Sequence, residues 1–182
     1  MWTLTLDTAT PYLSLGLFRG EEGVGRMVRL GRRHEEALFG LLDELLGEVG
    51  VEREEIGTLV LGEGPGSYTG LRIALAAGMG IALAHGARVF GVSSLLAASW
   101  PHLEEDGPPL KALFTARNGL YYGATYARRE GKPLVLEAPR KLKAQEISRL
   151  QGSHLLLDAP PDPRALYELL PFAREGVEPL YL

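Results

Sequence analysis

The hydrophobic positions begin in three short β-like runs, residues 2–7, 13–18 and 24–30, separated by Ala9-Thr10-Pro11 and by Gly20-Glu21-Glu22-Gly23. Short apolar runs broken by such turn residues predict a meander of hairpin-connected antiparallel strands. The period then changes. Leu38, Leu41, Leu42, Leu45, Leu46 and Val49 recur at helical spacing, with Glu35, Glu36, Asp43 and Glu44 on the other face, which predicts an amphipathic helix over 35–49. A strand at 58–61, a helix at 71–85 and a strand at 88–92 follow, a β-α-β unit whose strands should be parallel. The second helix is apolar almost all round and rich in small residues, Ala74, Ala76, Ala77, Gly78, Gly80, Ala82 and Ala84. Such a helix must be covered on both sides, by its own domain or by another subunit.

The segment Glu104-Glu105-Asp106-Gly107-Pro108-Pro109 is charged and then rigid, and it divides the chain into 1–105 and 106–182. Beyond it, strands are expected at 110–115, 121–126, 134–137 and 154–157, and helices at 144–150 and 164–170. A last edge strand is expected at 177–182, confined there by Pro179. The second part repeats the order of the first in shortened form.

Composition narrows the function. A net charge of −4 argues against a protein that grips nucleic acid alone. The basic clusters Arg26/Arg29/Arg32/Arg33, Arg128/Arg129 and Arg140/Lys141/Lys143 read first as solvated faces. With no cysteine, disulfides, thiol catalysis and sulfur-ligated metals drop out. No secretory leader pattern is visible, and the apolar run 73–84 is well short of a bilayer span of roughly 20 residues, so a cytoplasmic protein is expected. A single Asn and two Gln suggest a thermophile source.

The densest candidate chemistry is the loop from Gly62 to Arg72. It lacks the lysine of a P-loop, the third glycine of a dinucleotide fingerprint and the flanking glycines of a nucleophile elbow. Two readings stay open: an anion nest at a helix N-terminus, or a tight turn that lets a helix dock. Asp7-Thr8-Ala9-Thr10 at the end of the first strand suits phosphate or magnesium chemistry, and equally a turn that caps the strand. His34-Glu35-Glu36-Ala37-Leu38 opens like a zinc helix, but Leu38 stands where a second histidine is required, so no metal site is expected.

Together, Asp7-Thr8-Ala9-Thr10, His34-Glu35-Glu36, the run from Gly64 to Arg72 and Gly91-Val92-Ser93-Ser94-Leu95 resemble the TsaB (YeaZ) family over roughly the first hundred residues. The resemblance implies an α/β fold of two ribonuclease-H-like lobes, as in the actin, sugar-kinase and heat-shock ATPase superfamily, with the second lobe shortened. It implies a non-catalytic subunit of the machinery that makes threonylcarbamoyladenosine in tRNA, binding TsaD, joined by TsaE, dimeric when alone, and meeting tRNA only through the complex. No cofactor is expected. Expected partner contacts are Leu38, Leu41, Leu45, Arg72, Leu75, Gly78 and Met79. A vestigial phosphate site would use Asp7, Thr8, Gly64, Gly66, Ser67 and Thr69. The alternative is a small nucleotide-dependent phosphotransferase or ATPase of the same superfamily, working through Asp7 and the 62–70 loop.

Overall fold

The computed structural model describes residues 1–31, 33–150 and 154–182; Arg32 of the first basic cluster lies outside them. Strands β1 (Trp2–Asp7), β2 (Tyr12–Arg19) and β3 (Glu22–Arg29) form the expected antiparallel meander. Helix α1 (His34–Val49) leads to β4 (Ile56–Gly62), then to α2 (Tyr68–His85) and β5 (Arg88–Val92). Strands β4 and β5 are parallel to β1 and to each other, as the β-α-β pattern requires. Each long helix stops at a left-handed glycine, Gly50 at φ 69° and Gly86 at φ 65°, a conformation that a Cβ disfavours. Helix α2 starts one turn earlier than its apolar pattern, because Ser67 caps it by accepting the Gly70 N–H.

After β5 the short α3 (Ser94–Ser99) leads into a second sheet of β6 (Leu110–Thr115), β7 (Leu120–Arg129), β8 (Lys132–Lys143) and β9 (Leu155–Leu157). Helix α4 (Ala144–Ser148) precedes β9, and α5 (Pro163–Glu168) follows it. The second sheet runs β8-β7-β6-β9, antiparallel except for the parallel β6–β9 pair. This repeats the β3-β2-β1-β4 order of the first sheet with shorter crossovers.

Two cores follow from strand alternation. Leu4, Leu6, Leu13, Leu15, Leu17, Leu59 and Leu61 face α1 and α2. On the opposite side, Val60 and Val92 meet α3, α5 and the inner residues of the second sheet, Ala112, Phe114, Ala124 and Tyr126. Among the alternate positions of β1 and β2 on this side, Thr5 and Ser14 are polar yet wholly buried. They are satisfied by the chain leading into α5: Thr5 Oγ1 donates to Pro163 O at 3.0 Å and Ser14 Oγ to Pro161 O at 2.6 Å. These bonds dock residues 161–168 on the first sheet.

Two details depart from the sequence pattern. Helix α3 was not foreseen, since five of its six residues are buried and it shows no polar face. The expected terminal strand at 177–182 is displaced: pairing with β5 falls instead on β10 (Arg174–Glu175). Pro179 has no N–H to give a ladder, and the tail is held by one backbone bond, Leu180 N to Glu63 O at 2.7 Å.

Candidate functional site

The loop from Glu63 to Ser67 joins β4 to α2 across the end of β1, and the glycines in and beside it pack closely on the end of that strand. A Cβ on Gly62 would overlap the Asp7 carboxylate, one on Gly66 the Ala9 carbonyl, and one on Gly70 the Thr8 carbonyl. The glycines therefore let backbone approach backbone. Ser67 N–H donates to Ala9 O at 3.0 Å, and Thr8 Oγ1 donates to Gly70 O while accepting from Ala74 N–H at 3.1 Å. Thr8 thus ties the end of β1 into the first turn of α2.

Asp7 and Thr8 are wholly buried. Both Asp7 oxygens are engaged: Ala9 N–H donates to Oδ1 at 2.8 Å, and Ser94 Oγ donates to Oδ2 at 2.6 Å. Ser94 Oγ in turn accepts the Gly64 N–H at 3.0 Å. Burial pushes the Asp7 carboxyl up to about 6, against the lowering effect of the Ser94 and Ala9 hydrogen bonds. The cluster is a closed hydrogen-bonded staple joining β1, the loop and α3. Glu63 sits nearby under the tail; burial raises its carboxyl, opposed by the Glu178 N–H and by Arg174.

Of the residues expected to hold phosphate, Asp7, Thr8, Gly64, Gly66 and Ser67 do converge. They do not line one open site. Ser67 and Thr69 are exposed, whereas Asp7 and Thr8 lie sealed beneath the loop, because the glycines permit contact too close to leave a cavity. Ser94 was not among the expected site residues, although it lies in the Gly91–Leu95 stretch that shares in the family resemblance. His34 is buried and its Nε2 lies 2.8 Å from Thr10 O, which can only accept, so Nε2 carries the proton. Leu38, one turn on, belongs to the core. Among the described residues, no group of three or more acidic, histidine or cysteine side chains is placed to hold a metal.

The second candidate surface is the outer side of α2. Its inner face, Gly70, Leu71, Ala74, Gly78, Ile81 and Ala82, is buried, with Gly78 packed on Leu61. Its outer face exposes Arg72, Ala76, Met79 and Leu83, spaced i, i+4, i+7, i+11 along one stripe. Met79 is 52% and Leu83 88% exposed, and no charged residue interrupts α2 between Arg72 and His85. At the head of the stripe, Tyr68 lies under Arg72 at 5.3 Å and against Tyr181 of the tail at 5.1 Å. The adjoining outer face of α1 is acidic, with Phe39 its exposed apolar residue.

The expected partner contacts divide accordingly. Leu38 and Leu45 are core residues of α1, and Gly78 is occupied by Leu61, so these three point inward. Helical spacing selects the buried face of α1, and that face serves the chain itself. Leu41 and Leu75 are half-buried, while Arg72 and Met79 are exposed. Ala76, Leu83 and Tyr68 are exposed on the same side, and the spacing 72, 76, 79, 83 was readable in the sequence.

Comparison with known proteins gives this geometry a family. The family model described as TsaD, tRNA N6-adenosine threonylcarbamoyltransferase, matches residues 29–150. The chain is 30% identical over 131 residues to the Escherichia coli tRNA threonylcarbamoyladenosine biosynthesis protein TsaB, covering 71% of this chain and 57% of that protein. The Bacillus subtilis protein of the same name is 29% identical over 134 residues, covering 72% of this chain and 57% of the relative. The matched part thus spans little more than half the length of these curated relatives. The solved structure of YeaZ from Pseudomonas aeruginosa superposes with a TM-score of 0.87 at 25% identity, covering 100% of this chain and 99% of that one. The fold is the expected pair of ribonuclease-H-like lobes with the second shortened, and the chain belongs to the tRNA N6-adenosine threonylcarbamoyltransferase family, in its TsaB (YeaZ) branch.

Proposed function

We propose that this chain is a non-catalytic subunit that binds and supports TsaD in making threonylcarbamoyladenosine in tRNA. TsaE is the further member of the assembly, and a second copy of the chain occupies the same face when TsaD is absent. The reading is carried by α2, whose outer stripe is apolar beyond Arg72 and ends in a leucine 88% exposed. A monomer leaves such a stripe in water at a cost of about 25 cal/mol per Å², which a partner removes. Specific interfaces bury about 1,200–2,000 Å² in total, and the stripe with Tyr68, Phe39 and Leu41 forms a fitting centre for one.

The closed staple supports the non-catalytic part. A phosphotransferase or ATPase would need Asp7 to meet a phosphate or its magnesium, and that requires opening a carboxylate buried on every side. The names of the curated relatives supply the pathway. Among the described residues no helix is long and apolar enough to cross a membrane. The test is co-elution of the purified chain with the TsaD of its own source, together with calorimetry against ATP and magnesium. Co-elution without nucleotide turnover is expected from the chain; tight ATP binding with turnover by the chain alone would refute the reading.

A further inference from the structure

We propose that the end of the β7–β8 hairpin next to α4 contacts the phosphate backbone of the RNA substrate while the chain sits in its complex; this rests on the tRNA-modification reading above. Charge is distributed very unevenly along the chain. Residues 117–149 hold eight Arg and Lys against three acids, net +5, in a chain whose total is −4.

The fold sorts those cations into two groups. At one end of the hairpin the two arginines are turned to internal use, Arg128 pairing with Glu105 and lying 4.3 Å over the Trp100 ring and Arg129 donating to Gly107 O, which leaves Lys132 exposed there. At the other end, Lys141 stands opposite Tyr122 and Lys143 opposite Leu120, while Arg117 lies in the turn just before β7. Arg117, Arg140, Lys141 and Lys143 are all exposed. The local acids are occupied. Glu146 pairs with Arg140 at 3.3 Å and accepts the Lys143 N–H, and Asp158 accepts from the N–H and hydroxyl of Thr115. Among the described residues, Arg117, Lys141 and Lys143 form no ion pair.

Strand β8 is the outer strand of its sheet and is exposed along almost its whole length, so an extended polyanion can lie along it. By alternation Lys141 and Lys143 share one face with Tyr122, which packs against the second core and fixes the strand that carries them. In the meander of the first sheet Arg19 pairs with Glu22 and Arg26 with Glu48, and Arg29 lies 6.0 Å from the Tyr12 ring. The acidic remainder of the chain explains why such a surface would act only inside an assembly that supplies other contacts.

The test uses the full chain with its TsaD and an unmodified tRNA transcript, with affinity read by anisotropy across a salt series. In the variant Arg117→Gln/Lys141→Gln/Lys143→Gln, affinity should fall about tenfold or more, and the log–log salt slope should lose about 2–3, near 0.7–0.9 per lost phosphate contact. Thermal melting and co-elution with TsaD should stay unchanged. An unchanged slope overturns the inference. So does loss of TsaD binding, which would make the surface a protein-docking site, and so does an equal loss in the control Arg26→Gln/Arg29→Gln. If the unmutated chain fails to co-elute with TsaD, the functional reading itself fails and this inference falls with it.

Discussion

Replacing Asp7 by Asn removes a buried charge while leaving the shape of its site nearly intact. Asn Oδ1 can still accept from Ala9 N–H, and its amide can donate to Ser94 Oγ. Burial raises the Asp7 carboxyl from 3.8 to about 6. The folded state therefore holds its proton more tightly than the unfolded chain. Below about pH 4 both states are protonated and the residue is neutral to stability. Between about 4 and 6 the folded state binds more protons, so stability falls as pH rises, and above about 6 the full penalty remains. At about 1.4 kcal/mol for each tenfold change in proton affinity, the penalty at pH 7 is about 3 kcal/mol. The asparagine escapes it, less about 1 kcal/mol for the rearranged bond at Ser94. Urea unfolding at pH 4 and pH 7, extrapolated linearly, gives the difference between variant and parent at each pH. That difference should move by about 2–3 kcal/mol in favour of the asparagine on going from pH 4 to pH 7. Glu63, whose carboxyl is also raised, is common to both proteins and cancels. A difference that stays flat with pH would refute the sealed, charged staple.

Other residues of the staple give further outcomes. Ser94→Ala orphans the Gly64 N–H and removes a bond from Asp7, so denaturant unfolding should show a loss of about 2–4 kcal/mol at pH 7. Gly70→Ala drives a Cβ into the Thr8 carbonyl and should cost about 2 kcal/mol or more, whereas Gly47→Ala, with open space around it in α1, should gain up to about 1 kcal/mol. Tyr181→Ala removes the tail's ring from Tyr68 and should speed amide exchange in the first turn of α2, with a loss of about 1 kcal/mol or less in global stability.

The fold was legible where the period was long. Six leucines and valines at helical spacing gave α1 to within a residue, and the β-α-β pattern gave the parallel pairing of β4 and β5. Helix α3 is buried nearly all round and so lacks an amphipathic pattern, and the terminal pairing shifted to Arg174–Glu175 because a proline-bearing tail cannot sustain a ladder. At the candidate site, sequence brought Asp7, Thr8 and the loop glycines to notice without saying whether they open toward a ligand. That depends on distances between carbonyls and absent Cβ atoms, which no local pattern encodes. The same limit misassigned Leu38, Leu45 and Gly78: a helix pattern marks its most apolar face, and only packing tells which apolar residues remain uncovered. Leu83 was such a residue.

On this reading the outer stripe of α2 is where a partner binds. Size-exclusion chromatography of the chain with TsaD, before and after Met79→Glu/Leu83→Glu, tests it most directly. Both side chains are exposed, so the variant should fold and melt like the parent. The account predicts that the parent co-elutes with TsaD and that the variant elutes apart from it, an affinity loss of at least thirtyfold for about 2 kcal/mol or more at an interface centre. A well-folded variant that still co-elutes with TsaD would contradict it.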